Sequence, residues 1–367
     1  AFADDHRASR FWEAYPSALF LLPRFELDGR SGGGGNLRVR AVLDDGDDPE
    51  VARAELEDEV RAMATRLATA GSRGPDAPVG ASRRETDRGL WEDAVREALA
   101  EIRSGRFSKV VLARTLDVTS DRRMDPADVV AALWEENRGT HVFLFEPVPG
   151  RPLVGAAPET IATLRGERFQ STAVAGSTRR GETAEEADRL AGELLASVKD
   201  RAEQRMVVED VVERLAPLAD EVRVQDRPHV LRLARIQHLE TEIRAHVPPG
   251  SHVLELVAAL HPTPAVCGLP RDRALRFLRE EEPFQRGWYA GPVGWFDDAG
   301  DGVFAPALRT AVAHGRSWRL FAGAGIVEGS RPEAEWEETR IKFEPVLRAL
   351  DAVAAGVAGP GGPAEPA

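Results

Sequence analysis

An α+β fold built on antiparallel sheets is predicted by three features of this sequence. Strand-like segments come in runs and do not alternate strictly with helices, several short strands follow one another in a meander-like series, and no repeat of roughly 20–50 residues is visible. With 367 residues, 43% of them hydrophobic, the chain can bury a large core. The expected organisation is a single large domain over residues 1–355, followed by a disordered tail at 356–367 that is rich in Gly, Pro and Ala.

Residues 1–46 read as strand-rich, with ALFLLPRFEL and NLRVRAVL separated by the flexible tract Ser31–Gly35. A helix is expected around Asp48–Ala70, then a loop over Gly71–Arg84. Trp91, Val95, Ala98 and Ile102 recur at helical spacing, with Gly105 placed to end that helix. A strand follows over Phe107–Val118, and Asp125-Pro126 reads as an N-cap and first helical residue of a helix reaching Asn137. The short strands are His141–Glu146, Leu153–Gly155, Thr160–Arg165 and Phe169–Val174. Thr183–Leu215 is helical in two pieces, Val230–Val247 strand-like, and Val253–Leu260 and Arg271–Arg279 are short helices. Strands return from Trp288 to Ile326, and Pro332–Asp351 closes the fold as a helix.

A formal net charge of −13 argues against nucleic acid as a partner, because phosphate neutralisation needs a basic face. No apolar run reaches the roughly 20 residues of a membrane span, and AFADDHRASR is too charged for a signal peptide. The lone Cys267 excludes an internal disulfide, so a cytoplasmic location is expected. One cysteine and scattered histidines offer no zinc-like ligand spacing, and no Walker or GxGxxG pattern is present.

Of 48 basic residues only Lys109, Lys199 and Lys342 are lysines. A desolvated lysine can lose its proton, whereas arginine keeps its charge, so surviving lysines mark either chance retention or places where Arg cannot substitute. Lys109 sits within the strand SKVVLAR, facing either solvent at an edge or the interior. Glu203 shares a helical face with Val207, Val211 and Leu215; a carboxylate so placed is ion-paired to an arginine or bound to a metal. Glu335, Glu338 and Lys342 share one face of the closing helix, either as a solvated stripe or as part of a site. Carboxylates from two helices suit Mg²⁺, a hard cation that keeps several waters. Glu159 follows a tight turn in GAAPE, and AGSTRRG (residues 175–181) reads as a polar loop flanked by glycines.

Together the segments FSKVVLAR, LVGAAPE, AVAGSTRRG, KDRAEQRMVVEDVVERL, IQHLETEI, HPTPAVCGLP, RGWYAGPVGWFD, APALRTAV, FAGAGIVEGS and EAEWEETRIKF resemble the chorismate-utilising enzymes from about Leu90 to Leu350. That family includes isochorismate, salicylate, anthranilate and aminodeoxychorismate synthases. The resemblance implies stacked antiparallel sheets wrapped by helices, chorismate as substrate, and Mg²⁺ held by Glu203 and Glu338 with Glu335 in the same acidic cluster. It places Gly176, Ser177, His238, Ala265, Arg309, Gly323 and Lys342 along the substrate pocket. Lys109 resembles the general base that activates water, and Glu159 the general acid that protonates the departing C4 hydroxyl. A lysine at position 109, Ala175 where aminodeoxychorismate synthases carry a nucleophilic lysine, and PTPAVCG without a TG pair resemble the water-adding members. Isochorismate formation is therefore expected, with salicylate formation the alternative. Ammonia-using or catalytically silent homologues are more distant readings, so no amidotransferase subunit is expected and a monomer is favoured. Two departures from the family pattern stand out: Gln204 where many relatives have His, and Ala157 where Ser is common.

Overall fold

The computed structural model describes residues 2, 9–29, 35–69 and 79–356. The single domain expected over 1–355 divides into two compact units, Ala18–Pro75 and the remainder, Ala1–Ser17 with Asp76–Ala367. Most of the expected loop at 71–84, and the expected tail from residue 357 onward, lie outside the described residues.

The small unit holds an antiparallel hairpin, β1 (Phe25–Gly29) and β2 (Gly35–Val39), with Phe25 opposite Val39, and the helix α1 (Pro49–Thr69). The apolar stretch 18–22, expected to open a strand, does not enter the ladder; pairing begins only at Phe25.

The large unit begins with β3 (Ala81–Glu85), a strand that the loop reading missed. Its sequence ASRRE carries no apolar alternation, and only its pairing with the following long strand makes it one. Then come α2 (Arg88–Arg103), β4 (Lys109–Ser120) and α3 (Pro126–Glu136). Asp125 caps α3 by accepting from the Ala127 N–H at 2.9 Å, and Gly105 takes φ +76° just past α2, as the sequence predicts. The short strands follow: β5 (His141–Phe145), β6 (Leu153–Ala157), β7 (Ala162–Arg165) and β8 (Arg168–Arg179). The predicted two-piece helix is α4 (Ala184–Ala196) and α5 (Val198–Leu215), divided at Ser197, whose hydroxyl caps α5. Next are β9 (Glu221–Val224), β10 (His229–Arg232), β11 (Ile236–His246), α6 (Val253–Leu260), β12 (Gly268–Leu269) and α7 (Arg271–Glu281). The chain ends with β13 (Pro292–Phe296), β14 (Gly302–Pro306), β15 (Thr310–His314), β16 (Ser317–Ile326) and α8 (Pro332–Ala354).

These strands form two seven-stranded antiparallel sheets. One has the order β12-β4-β16-β15-β6-β5 with β3 also on β4; the other runs β10-β11-β8-β7-β14-β13 with β9 on β11. The short strands are thus not one meander. β5 and β6 pair in the first sheet, β7 and β8 in the second, and the chain crosses between them at residues 158–161.

Each sheet has its own core. Leu116, Val118, Trp318 and Leu320 of the first pack against Val129 and Leu133 of α3 and Phe343, Val346 and Leu350 of α8. Phe169, Ala173 and Ile243 of the second pack against Val207, Val211 and Leu215 of α5 and Leu256 of α6. Strand alternation assigns even-numbered residues of β4 and β16 to the helix-covered face, so Lys109, Val111, Phe321, Gly323 and Gly325 look the other way.

The cap of α5 matters because the first two turns of this helix carry Lys199, Asp200 and Glu203. Ser197→Ala removes the acceptor of the Asp200 N–H (3.2 Å) and should cost about 1 kcal/mol in equilibrium denaturation. A variant as stable as the parent contradicts this view of how the helix start is fixed.

Candidate active site

A cavity enclosing about 630 Å³ of atom-free space, part of it open to solvent, lies between the sheets and against α5 and α8. Glu159, Gly176, Ser177, Glu203, His238, Ala265, Arg309, Gly323, Glu338 and Lys342 all line it. Lys109 lies just behind this lining, fully buried, with Nζ 2.9 Å from Glu203 Oε1. Every residue proposed from sequence except Glu335 and Lys109 therefore reaches the cavity wall; Lys109 contacts it through its ion pair with Glu203, whereas Glu335 lies behind it, paired with Lys199.

The three lysines converge on the acidic cluster. Lys109 pairs with Glu203 of α5, Lys199 donates to Glu335 at 2.7 Å, and Lys342 donates to Glu338 at 2.6 Å and to the Gly323 carbonyl at 3.0 Å. The interior reading of Lys109 is the one realised, and Glu203 is ion-paired to a lysine and not to an arginine. Burial pushes the Glu335 carboxyl up to about 7, with Glu338 adding to the rise and Lys199 opposing it. Glu338 moves the other way: burial is outweighed by Lys342, Lys199 and the Ser177 hydroxyl, so its pKa falls below the usual range. The close fit depends on Gly325, where an added Cβ would lie 2.1 Å from Glu203 Oε1 and 3.2 Å from Lys109 Cε.

The Ala175-Gly-Ser motif corrects the loop expectation, because it lies inside β8. Ser177 opposes His238 and Ala175 opposes Leu239, leaving Gly176 as an extra residue at φ +77°. This is a β-bulge, and glycine supplies the left-handed conformation that the bulge needs. The bulge turns Ser177 towards His238: Ser177 Oγ is 2.9 Å from His238 Nδ1. Arg309 donates to His238 Nε2 at 2.9 Å, so the ring proton sits on Nδ1 and the imidazole donates to Ser177. Burial and the adjacent Arg309 hold His238 well below its usual pKa, hence neutral. Arg309 itself has φ +51°, a conformation that costs a non-glycine residue energy and recurs at functional sites. Its other terminal nitrogen is buried with no hydrogen-bond partner, so it can receive an anionic group in the cavity.

Glu159 sits at the crossover between the sheets and is 2% exposed. Burial raises its pKa to about 8, against opposing pulls from Lys109 and the Thr263 hydroxyl. At neutral pH it is therefore a buried, protonated acid. Ala265 and Val266 form an apolar part of the wall, with Tyr289 stacked on Phe321 (centroids 5.0 Å apart) as another.

The donor set fits a hard divalent cation. It consists of carboxylate oxygens from two helices, and Glu335 Oε2 is buried without a well-aligned hydrogen bond. Among the described residues no three acidic, His or Cys side chains converge closely enough to hold a metal unaided. Two carboxylates completed by water and a ligand carboxylate are the arrangement these residues allow.

Sequence reasoning missed Asp200, Tyr289 and Thr263. Asp200 packs on Gly176, and burial raises its pKa beside Glu203 and Glu338. Its signal was present, three residues before Glu203 on the same helix. Gln204 points away from the cavity, donating to the Ala173 carbonyl at 2.8 Å and to Thr241 at 3.0 Å, so this departure ties α5 to the second sheet. Ala157 is buried in β6, opposite His141.

Two antiparallel sheets around a cavity bordered by paired lysines and glutamates are the α+β architecture and site that the resemblance to chorismate-utilising enzymes implies. The model of the family described as chorismate binding enzyme matches residues 1–351, and the chain belongs to that family. It is 35% identical to isochorismate synthase MenF of Bacillus subtilis over 92% of this chain and 71% of that protein. It is 40% identical to isochorismate synthase DhbC of the same organism, over 71% of this chain and 67% of that one. The solved structure of the menaquinone-specific isochorismate synthase MenF from Escherichia coli superposes with a TM-score of 0.79 at 31% identity, covering 90% of this chain and 75% of that one. Anthranilate synthase component I from Streptococcus pneumoniae shares the fold, with a TM-score of 0.71 at 22% identity over 88% of this chain and 76% of that one. Among the described residues no helix is long and apolar enough to cross a membrane.

A raised carboxyl pKa makes stability fall as pH climbs from the unfolded value through the folded one. Because the Glu159 carboxyl titrates near 8, the parent should lose roughly 2–3 kcal/mol between pH 6 and 8 that Glu159→Gln retains. Parallel stability–pH curves for the two proteins in urea denaturation contradict a protonated Glu159.

Proposed function

We propose that this chain is an isochorismate synthase, adding water at C2 of chorismate as the C4 hydroxyl departs. The observation that carries the proposal is the presence at one cavity of two separate buried groups, the amine of Lys109 just behind the wall and the protonated carboxyl of Glu159 in it. Water addition needs a proton removed on one side of the ring and another supplied where hydroxide leaves. Lys109 is the base that takes the proton of the attacking water; Glu159 protonates the leaving hydroxyl. The ring double bonds shift, one C–O bond forms, one breaks, and water is regained, so the net change is an isomerisation.

The remaining residues bind and orient. Arg309 offers its unpartnered guanidinium nitrogen to a substrate carboxylate, and His238 fixes the guanidinium from behind. Lys342 supports Glu338, while Ala265 and Val266 give an apolar wall against the ring. Glu203 and Glu338, with Glu335 close by, would hold Mg²⁺. The cation would supply positive charge that neutralises the ring carboxylate, and Glu203 engaged in holding it would no longer pair with Lys109. The isochorismate synthases to which the chain is similar support the same reading.

Incubation with chorismate and MgCl₂, without an ammonium salt, should yield isochorismate. Salicylate and pyruvate as products would assign the chain to the alternative chemistry. Lys109→Ala and Glu159→Ala should each lower kcat at least a hundredfold with the fold intact. Activity should fall as pH rises past about 8, where the Glu159 carboxyl ionises. Glu203→Ala should abolish the response to Mg²⁺; full activity in that variant contradicts its place as a ligand.

A further inference from the structure

Outside the site, one buried ion pair of the large unit acts on the cavity wall. Arg286 and Glu282 are buried to side-chain exposures of 5% and 4% and bond twice, at 2.7 Å through Nε and 2.5 Å through a terminal nitrogen. Their other bonds all go to backbone. Arg286 donates to the Val266 carbonyl at 2.8 Å and to the Val111 carbonyl at 2.6 Å, and Glu282 accepts from the Ala113 N–H at 2.8 Å.

The backbone explains why the pair is there. β12 pairs with the start of β4, Leu269 opposite Lys109 and Gly268 opposite Val110, and the Val111 N–H still reaches the Cys267 carbonyl at 2.8 Å. There the ladder stops, because the N–H groups of Val266 and Cys267 turn back to the Thr263 carbonyl. The Val111 carbonyl and the Ala113 N–H, the next groups on that edge, would be left buried and unpaired, which is costly for backbone polar groups. Arg286 and Glu282 satisfy both, standing in for the missing strand. The same guanidinium also holds Val266 at the point where the 263–267 turn presents Ala265 and Val266 to the cavity. Tyr289, another cavity residue, lies against this guanidinium, with its ring centroid 5.6 Å away.

We infer that Arg286, braced by Glu282, is a positioning residue: it fixes the Ala265–Val266 wall against the strand that carries Lys109 and so sets the fit of the substrate ring. The inference rests on the proposed function for its kinetic consequence, but its structural consequence can be read without substrate.

The test compares the parent with Arg286→Lys and with the double variant Arg286→Met/Glu282→Leu. The double variant leaves no unpaired buried charge but orphans the Val111 carbonyl and the Ala113 N–H, so its fold is checked first by circular dichroism and Arg286→Lys, which keeps a donor, is measured beside it. Steady-state kinetics with chorismate and MgCl₂ are measured beside amide hydrogen exchange of residues 263–268. In both variants KM should rise at least tenfold while kcat stays within threefold. Exchange at Val266 and Cys267 should quicken, with that of β15 and α8 unchanged. A folded double variant with parental KM and parental exchange would overturn the inference and leave the pair a purely structural one. If the double variant does not fold, Arg286→Lys decides on the same two readouts. A parent that leaves chorismate unchanged counts against the proposed function alone, and the exchange rates then decide the positioning claim.

Discussion

The pairing of lysine side chains with glutamates around one partly open cavity is the constraint on which the rest of the site depends. Isolated buried charge is costly, and removing one partner of a buried pair costs about 3–5 kcal/mol. The three lysines and the three glutamates therefore hold one another in place. Lys109 meets Glu203, Lys199 meets Glu335, and Lys342 meets Glu338, drawing β4, α5 and α8 around one volume. Glu159 lies outside these pairs, and burial leaves it neutral. One carboxyl is thus kept as an acid while Glu338 is held as an anion, a separation set by environment and not by residue type.

The backbone serves this arrangement at places where regular structure is interrupted. The bulge at Gly176 aims Ser177 and His238, the crossover between sheets aims Glu159, and the end of the β4–β12 ladder creates the opening filled by Arg286 and Glu282. Arg309 in a left-handed conformation belongs to the same pattern. Its hydrogen bond to His238, and through His238 to Ser177 and Glu338, forms a directional chain from the guanidinium that faces the cavity to the acidic cluster. Fixed dipoles of this kind need no reorganisation when charge develops on a bound ring.

Much of this was legible in the sequence where local chemistry decides the outcome. The helix start at Asp125 follows from a side chain that accepts a backbone N–H group, and the start expected at Thr183 lies at a residue that the structure shows capping in the same way. The placement of Glu203 on an apolar helical face marks a carboxylate that needs a partner, and the scarcity of lysine singles out Lys109, Lys199 and Lys342, but which lysine meets which glutamate is set by the tertiary fold. What stayed hidden depends on partners distant in sequence. β3 has no apolar alternation and exists by virtue of its partner β4; the division of β5 to β8 between two sheets is decided by their neighbours. The bulge at Gly176 looked like a loop because a glycine followed by polar residues reads the same way whether the ladder resumes or not. The separation of residues 18–75 as a compact unit left no comparable local signal.

The assignment of Lys109 and Glu159 to opposite ends of one displacement makes a direct statement about where the product's oxygen comes from. Turnover of chorismate in ¹⁸O-labelled water, with the product analysed by mass spectrometry and by the ¹⁸O-induced shift of its ¹³C resonances, measures it. The account predicts one solvent oxygen, attached at C2. A product whose C2 hydroxyl is unlabelled, its oxygen carried over from C4 of the substrate, would contradict it, because no external water would then need a base on one face and no free hydroxide an acid on the other.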